Sequence, residues 1–228
     1  MLRPPPFTSW PVEGYFLQPY AGLPDGAPRH GLGGAPDDGG ECPVCAWPLR
    51  RLLRLDARDS RIELPRIAVG WLDLLRCPQC DVTRYTLTSR GELLVLGEVT
   101  EDEPNLTNWS PGKAWPPLPE TPVVLHAIPE RIAEARALVL QGRMAEAAGW
   151  VQRFDWQSPV HQVGGVPLVL GPGCGIPVCE LCGGNMPFLA SVVMVNAEAT
   201  DDDPRPAQTL FFLCRSCPSI LAFHDAPA

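Results

Sequence analysis

The chain carries two pairs of Cys-x-x-Cys motifs, and both pairs have the same internal spacing. The first pair reads Cys42-Pro-Val-Cys45, then 31 residues, then Cys77-Pro-Gln-Cys80. The second reads Cys179-Glu-Leu-Cys182, then 31 residues, then Cys214-Arg-Ser-Cys217, each cysteine 137 positions after its counterpart. The match extends upstream. His30-Gly-Leu-Gly-Gly34-Ala-Pro36 returns as His161-Gln-Val-Gly-Gly165-Val-Pro167 at an offset of 131, and a six-residue length change before Cys42 reconciles the two offsets. Shared spacings plus a flanking heptad point to an internal duplication.

The spacing dictates the chemistry. Two cysteines three apart in a tight turn can aim both sulfurs at one ion, and two such knuckles complete a tetrahedral tetrathiolate site. Zinc is the usual occupant, and a rubredoxin-like iron site is the main metal alternative. Disulfides or free thiols are the non-metal alternatives. Cys42, Cys45, Cys77 and Cys80 are therefore read as one ligand set and Cys179, Cys182, Cys214 and Cys217 as the other, giving two Zn²⁺ per chain. Four protein ligands leave no open position for water or substrate, so the expected role is structural.

The chain has 228 residues, enough for one large domain or two subdomains of roughly 100 residues. It is acidic, with 18 basic and 26 acidic residues and a formal charge of −8. Each tetrathiolate with a divalent ion adds a further −2, for a total of about −12. Nucleic-acid binding through a broad basic face is excluded on this balance, and a basic protein partner is easier to accommodate. No stretch approaches 18 apolar residues, so no membrane span is expected. The start, Met1-Leu-Arg-Pro-Pro-Pro6, has no signal-peptide pattern. Reduced cysteines and no export signal together imply a cytoplasmic protein. Nothing in the sequence fixes the oligomeric state.

Two parts are expected along the chain. Residues 1–120 hold an N-terminal arm, the first β repeat and a Trp-containing linker, and residues 121–228 hold a helical segment followed by the second β repeat. The arm predicts one short strand near Gly14–Gln18. Leu49–Leu55 reads as a strand or a helical turn, because its periodicity is ambiguous. Its counterpart Phe188-Leu-Ala-Ser-Val-Val-Met-Val195 is β-branched and settles it as a strand. Ile67–Leu75, Thr209–Leu213, Val82–Thr88, Glu92–Val99 and Ser219–Phe223 follow as further strands, the last being the counterpart of Val82–Thr88. Pro129–Phe154 predicts a helix broken at Gly142. The fold class is mostly β (α+β): a duplicated β-rich repeat, each copy with a tetracysteine knuckle pair, and a helical segment between the copies.

The second copy, from His161-Gln-Val-Gly-Gly-Val-Pro167 through Cys179-Glu-Leu-Cys-Gly183 and Phe188-Leu to Phe211-Phe-Leu-Cys214, resembles programmed cell death protein 2 and its relatives. Its Gly-Gly-x-Pro entry is also similar to that of the bacterial YwqG-like proteins. The resemblance covers roughly residues 30–99 and 155–225. It implies a duplicated β-rich fold and, from the eukaryotic relatives, a chaperone-like role in binding a ribosomal protein.

Several residues stand outside the cysteine pattern. Gly33-Gly34 and Gly164-Gly165 suit positive φ or close backbone approach, with the following proline fixing the exit. His30 and His161 precede them equivalently, and each is expected to bond a backbone carbonyl across the loop. No nucleophile pairs with both: Ser158 lies three before His161, but Ala27 stands three before His30. No Gly-x-Ser-x-Gly, phosphate loop or dinucleotide fingerprint occurs, so no catalytic residue is assigned. Cys174, the ninth cysteine, reads as a small loop residue. Residues 42–80 carry seven arginines against four acids, and residues 179–217 carry two against five, so each repeat could present its own partner surface. The Asp201-Asp-Asp203 loop is the candidate partner-binding site. The functional expectation is a non-enzymatic interaction or chaperone-like protein. The alternatives are an immunity-type toxin inhibitor, or a hydrolase or transferase using His30 and His161.

Overall fold

The computed structural model describes residues 13–20, 22, 26–36, 40–64, 70–78, 80, 82–87, 93–96, 118–141, 143, 145–146, 161–168, 176–194, 207–217 and 219–225. Asp201, Asp202, Asp203, Cys174 and most of the expected second helix at 143–153 lie outside them. The described residues are mostly β, as expected. In chain order they form β1 (Gly14–Pro19), β2 (His30–Leu32), β3 (Arg50–Asp56), β4 (Trp71–Arg76), β5 (Val82–Leu87) and β6 (Leu93–Leu96). Next come β7 (Thr121–Ala127), α1 (Glu130–Leu140), β8 (Gln162–Gly164), β9 (Phe188–Met194), β10 (Ala207–Leu213) and β11 (Ser219–Asp225). No helix among them is long and apolar enough to cross a membrane.

The chain divides into two compact units. Unit 1 takes residues Met1–Gln18, Leu125–Leu213 and His224–Ala228, and unit 2 takes Pro19–Val124 and Cys214–Phe223. Unit 2 contains the antiparallel run β4-β3-β2-β7 and the antiparallel run β11-β5-β6. Its core is rich in leucine: Leu52, Leu53, Leu55, Leu72 and Leu74 are all fully buried, together with Tyr85, Val123 and Ile220. Unit 1 contains β1-β8-β9-β10, again antiparallel. Phe188 and Phe212 pack edge to face in its core, with ring centroids 6.1 Å apart and planes at 75°.

The ambiguous segment Leu49–Leu55 is a strand, and a β-bulge explains the ambiguity. In β3 the register against β4 shifts between Arg51 and Leu53, so Leu52 is an extra residue and two consecutive leucines face inward. In the second copy the register of β9 against β10 shifts at the same place, passing over Leu189, which is Leu52 plus 137. The other ladders repeat too. β2 pairs with β7 as Gly31↔Pro122 and Leu32↔Thr121, and β8 pairs with β1 as Gln162↔Phe16 and Val163↔Tyr15. Each copy's His-led strand is thus paired with a strand from the other half of the sequence. The two expected counterparts, β5 and β11, pair with each other, Ser219↔Thr86 through Phe223↔Val82.

The helix α1 starts after Pro129, whose φ of −53° suits the first turn, with Glu130 on its positive end. Among its described side chains, Ala135 and Arg136 are the buried ones. Arg136 is an unexpected core residue. Its Nε donates to the Pro167 carbonyl at 3.0 Å, and burial draws its pKa down to about 10.

Candidate metal centres

Each first knuckle is built by the same three backbone hydrogen bonds. In the first copy Cys42 N–H donates to Trp47 O (2.8 Å), Ala46 N–H to Cys42 O (2.7 Å) and Leu49 N–H to Gly40 O (2.9 Å). In the second, Cys179 N–H donates to Gly184 O (2.7 Å), Gly183 N–H to Cys179 O (2.7 Å) and Met186 N–H to Pro177 O (2.9 Å). Isolated bridges Glu41↔Pro48 and Val178↔Asn185 close both turns. The residue after the second cysteine is left-handed in each, Ala46 at φ 58° and Gly183 at φ 71°. That turn lets both sulfurs of a pair leave from one side.

The eight cysteines gather in the two sets that the spacing implies. Cys42, Cys45, Cys77 and Cys80 form one group and Cys179, Cys182, Cys214 and Cys217 the other, with the sulfurs of each group within 4.8 Å of one another. In the first group the Cys45–Cys77 separation is 3.4 Å, Cys42–Cys80 is 3.7 Å and Cys45–Cys80 is 3.8 Å. A tetrahedral site with Zn–S bonds of ~2.3 Å sets its sulfurs ~3.8 Å apart, so the donor set fits such an ion. All eight are free of disulfides. The leading cysteine of every knuckle is buried, and the trailing one is more open.

The protonation of the first group is itself a statement about charge. Hydrogen bonds from Cys77 and Cys80 hold the Cys42 thiol far below its ordinary value, whereas the bond to Cys42 pushes Cys80 far above it. Four sulfurs this close share protons in the absence of a cation, because like charges cannot all be ionised together. A divalent cation removes that constraint and would be held by all four as thiolates.

The two histidines occupy equivalent sites, and their bonding differs from expectation. Among the described residues, neither ring bonds a carbonyl. His30 Nδ1 accepts the backbone N–H of Asp56 at 3.2 Å, and His161 Nδ1 accepts that of Val193 at 3.1 Å. Asp56 and Val193 are again 137 apart. The reason is the ladder: the ring meets the end of a neighbouring strand, where an amide points outwards. His30 also bonds Asp59 through Nε2 at 2.9 Å, so both ring nitrogens are engaged and the residue is only 3% exposed. Burial lowers the pKa of both rings, in His30 against the opposing pull of Asp59.

A tandem Asp-x-Arg sequence after β3 went unread as a motif. Asp56 accepts the backbone N–H and guanidinium of Arg58, and Asp59 those of Arg61. Arg54 makes a two-point contact with Asp73 (2.6 and 2.7 Å), and Arg54 and Arg58 both lie about 6 Å from the Trp71 ring centroid. Buried Arg51 bonds the Gly33 carbonyl at 2.7 Å and pairs with Glu120 at 3.1 Å. The arginine excess of the first copy is therefore largely engaged by carboxylates within the protein. The repeated i to i+2 spacing of Asp and Arg was the available signal.

The paired glycines are required by close approach. A Cβ on Gly34 would lie 1.9 Å from the Arg51 guanidinium, and one on Gly165 would lie 2.7 Å from the Gly14 Cα. All four glycines have positive φ. Compared with known proteins, the chain matches no family model, no curated protein and no solved structure.

Proposed function

We propose that this chain is a non-enzymatic, cytoplasmic protein, stabilised by two zinc ions, that acts by binding a basic protein partner. The observation that carries the reading is the pair of closed four-sulfur groups, set in knuckles that repeat hydrogen bond for hydrogen bond. A tetracysteine ion has no vacant position for a substrate, so its contribution is to folding. The motif resemblance to chaperone-like proteins of the programmed cell death protein 2 group supports the same reading. The internal pairing of Arg51, Arg54, Arg58 and Arg61 supports an acidic rather than a basic binding face.

The His30–Asp59 contact is the one observation that favours a hydrolytic role. A general base needs a ring nitrogen within reach of its substrate's proton. His30 has both nitrogens engaged and is buried, which favours a fold role instead.

The test combines metal analysis with partner capture. Protein purified without added metal should hold about two equivalents of zinc. Replacing Cys42 and Cys45 by Ser should lose one and leave the other. A red, iron-bearing protein would replace zinc by iron in this reading, and less than one equivalent of metal with intramolecular disulfides would end it. A pull-down from the native cell should recover a basic protein, held less well at raised salt when Asp201, Asp202 and Asp203 are changed to Asn. An acidic partner, insensitive to those aspartates, would contradict the proposal.

A further inference from the structure

The leading knuckles of the two copies share a backbone and carry different side chains at their tips. Val178 and Leu181 are 50% and 59% exposed, more than any other large apolar side chain among the described residues. Single exposed aliphatics are ordinary on a protein surface, but these two stand on one short closed turn. The equivalent positions of the first copy hold Glu41, a charge, and Val44, which is half-buried.

The turn holds the pair out rigidly. Its backbone is tied by Cys179 N–H to Gly184 O, Gly183 N–H to Cys179 O and Met186 N–H to Pro177 O, and Val178 bridges Asn185. Cys179 and Met186 of the same turn are buried. A turn fixed in this way has little conformational freedom left to lose on binding, a cost that weighs heavily on a small interface. Two aliphatic side chains offer room for one apolar anchor of a partner, and a few such anchors carry most of an interface's binding energy.

The charge around the tip selects the partner. Glu180 lies exposed between the two aliphatics in sequence. Four thiolates around a divalent ion carry −2. Arg215 is the one basic residue among the described positions of 176–217, and it is ion-paired with Glu63. A second copy of this chain would bring its own formal charge of −8 to the contact, whereas a cationic segment is attracted.

We propose that the tip of the second copy's leading knuckle, Val178 to Asn185, is the docking site for a short segment of a basic protein, one that presents an apolar side chain flanked by lysine or arginine. The inference deepens the function proposed above and rests on it for the bound ion and for the basic class of the partner.

The experiment uses the full chain loaded with zinc, its content measured first. Fewer than about two equivalents at the start would defeat the metal reading itself and not this inference alone. The probe is the peptide Lys-Lys-Phe-Leu-Lys-Lys, titrated into isotope-labelled protein while backbone amide shifts are followed. Saturable shifts should concentrate at residues 177–186. A double Val178→Ser, Leu181→Ser variant should bind about 10-fold more weakly or worse, the loss expected of a contact at an anchor. Val44→Ser should bind as the unaltered chain does. Glu180→Lys should weaken binding, and more at low salt than at high. The peptides Lys-Lys-Ser-Ser-Lys-Lys and Glu-Glu-Phe-Leu-Glu-Glu should leave the spectrum unmoved. Shifts confined to other residues would overturn this site and leave the basic-partner reading standing. Equal binding of the acidic peptide would overturn both. No binding of the lysine peptide would overturn the proposal, and so would a concentration-dependent dimer that Leu181→Ser abolishes, since the patch would then join two copies. The replaced side chains are exposed, so the variants should keep their zinc and melting temperature. Should they not, the shift mapping on the unaltered chain decides alone.

Discussion

Ala46 and Gly183 occupy the same left-handed position in the two knuckles, at φ 58° and 71°. One of them has a side chain where the backbone disfavours it by roughly 1–2 kcal/mol. Nothing lies within 4 Å of a Cβ placed on Gly183, so the difference is one of backbone strain and not of space. Gly183→Ala should cost about 1 kcal/mol in denaturant unfolding of the metal-loaded protein. Ala46→Gly should stabilise by about 0.5–1 kcal/mol, the relief of strain being partly offset by a more flexible unfolded chain. Effects of the opposite sign would mean that these turns relax when the ion is bound.

The glycine pairs predict a larger loss. Gly165 lies against the backbone of Gly14, which cannot swing aside, and Gly34 lies against a buried, ion-paired arginine. Alanine at either position should destabilise by about 2 kcal/mol or more, since a close contact adds to the strain of positive φ. Thermal melts of Gly34→Ala and Gly165→Ala, set beside Gly183→Ala, separate the two contributions. Equal losses in all three would leave only the strain.

The histidines predict an acid-side loss of stability. In the folded chain burial holds His30 and His161 below 6.5, the value for an exposed ring, so the unfolded chain binds more protons in that range. Stability contributed by the neutral rings is complete above pH 6.5. It falls as the pH drops from there towards the lowered folded values. Asp59 and Asp56 oppose the lowering at His30, and Arg61 reinforces it. Unfolding free energies between pH 7.5 and 5 should decline, and the decline should be shallower in a His30→Gln, His161→Gln variant. Any loss of metal in acid would persist in that variant. Independently, His30→Ala or His161→Ala should cost about 1–3 kcal/mol at neutral pH, because a buried amide at Asp56 or a part-buried one at Val193 loses its acceptor. Wild-type stability in both would return attention to a chemical role.

Metal removal should be the most damaging change of all. Each cysteine group joins segments far apart in the sequence, and Pro43, Ala46 and Pro48 of the Cys42–Cys45 turn are exposed. Chelation should therefore abolish the cooperative melt. An unchanged melting temperature and circular dichroism spectrum after chelation would show that the ions are dispensable.

The cysteine groups were legible because their geometry is local: ligand spacing within a turn follows from covalent dimensions. The strand assignments near them were legible for the related reason that a second copy resolved an ambiguous first one. What could not be read was set by non-local contact. The bulge at Leu52 looks in sequence like a helical leucine spacing, and only pairing with β4 shows two adjacent leucines turned inward. The Gly33 and Gly164 carbonyls are equivalent, yet Arg51 serves the first and Gln162 the second, at 2.7 and 2.8 Å. Gln162 has Gly31 as its sequence counterpart, so alignment of the copies conceals the substitution. The burial of Arg136 was hidden in the same way, because its acceptor is the Pro167 carbonyl of a distant loop.

The placement of β11 beside β5 bears on how the protein is made. Synthesis runs at about 5–20 residues per second, so β11 follows β5 from the ribosome by roughly 7–30 s. Throughout that interval β5 has its Leu93–Leu96 neighbour and an open edge on the other side. An unpaired edge is a template for wrong pairing, between neighbouring nascent chains as much as within one. The half of the chain synthesised first is thus the half whose folding is completed last.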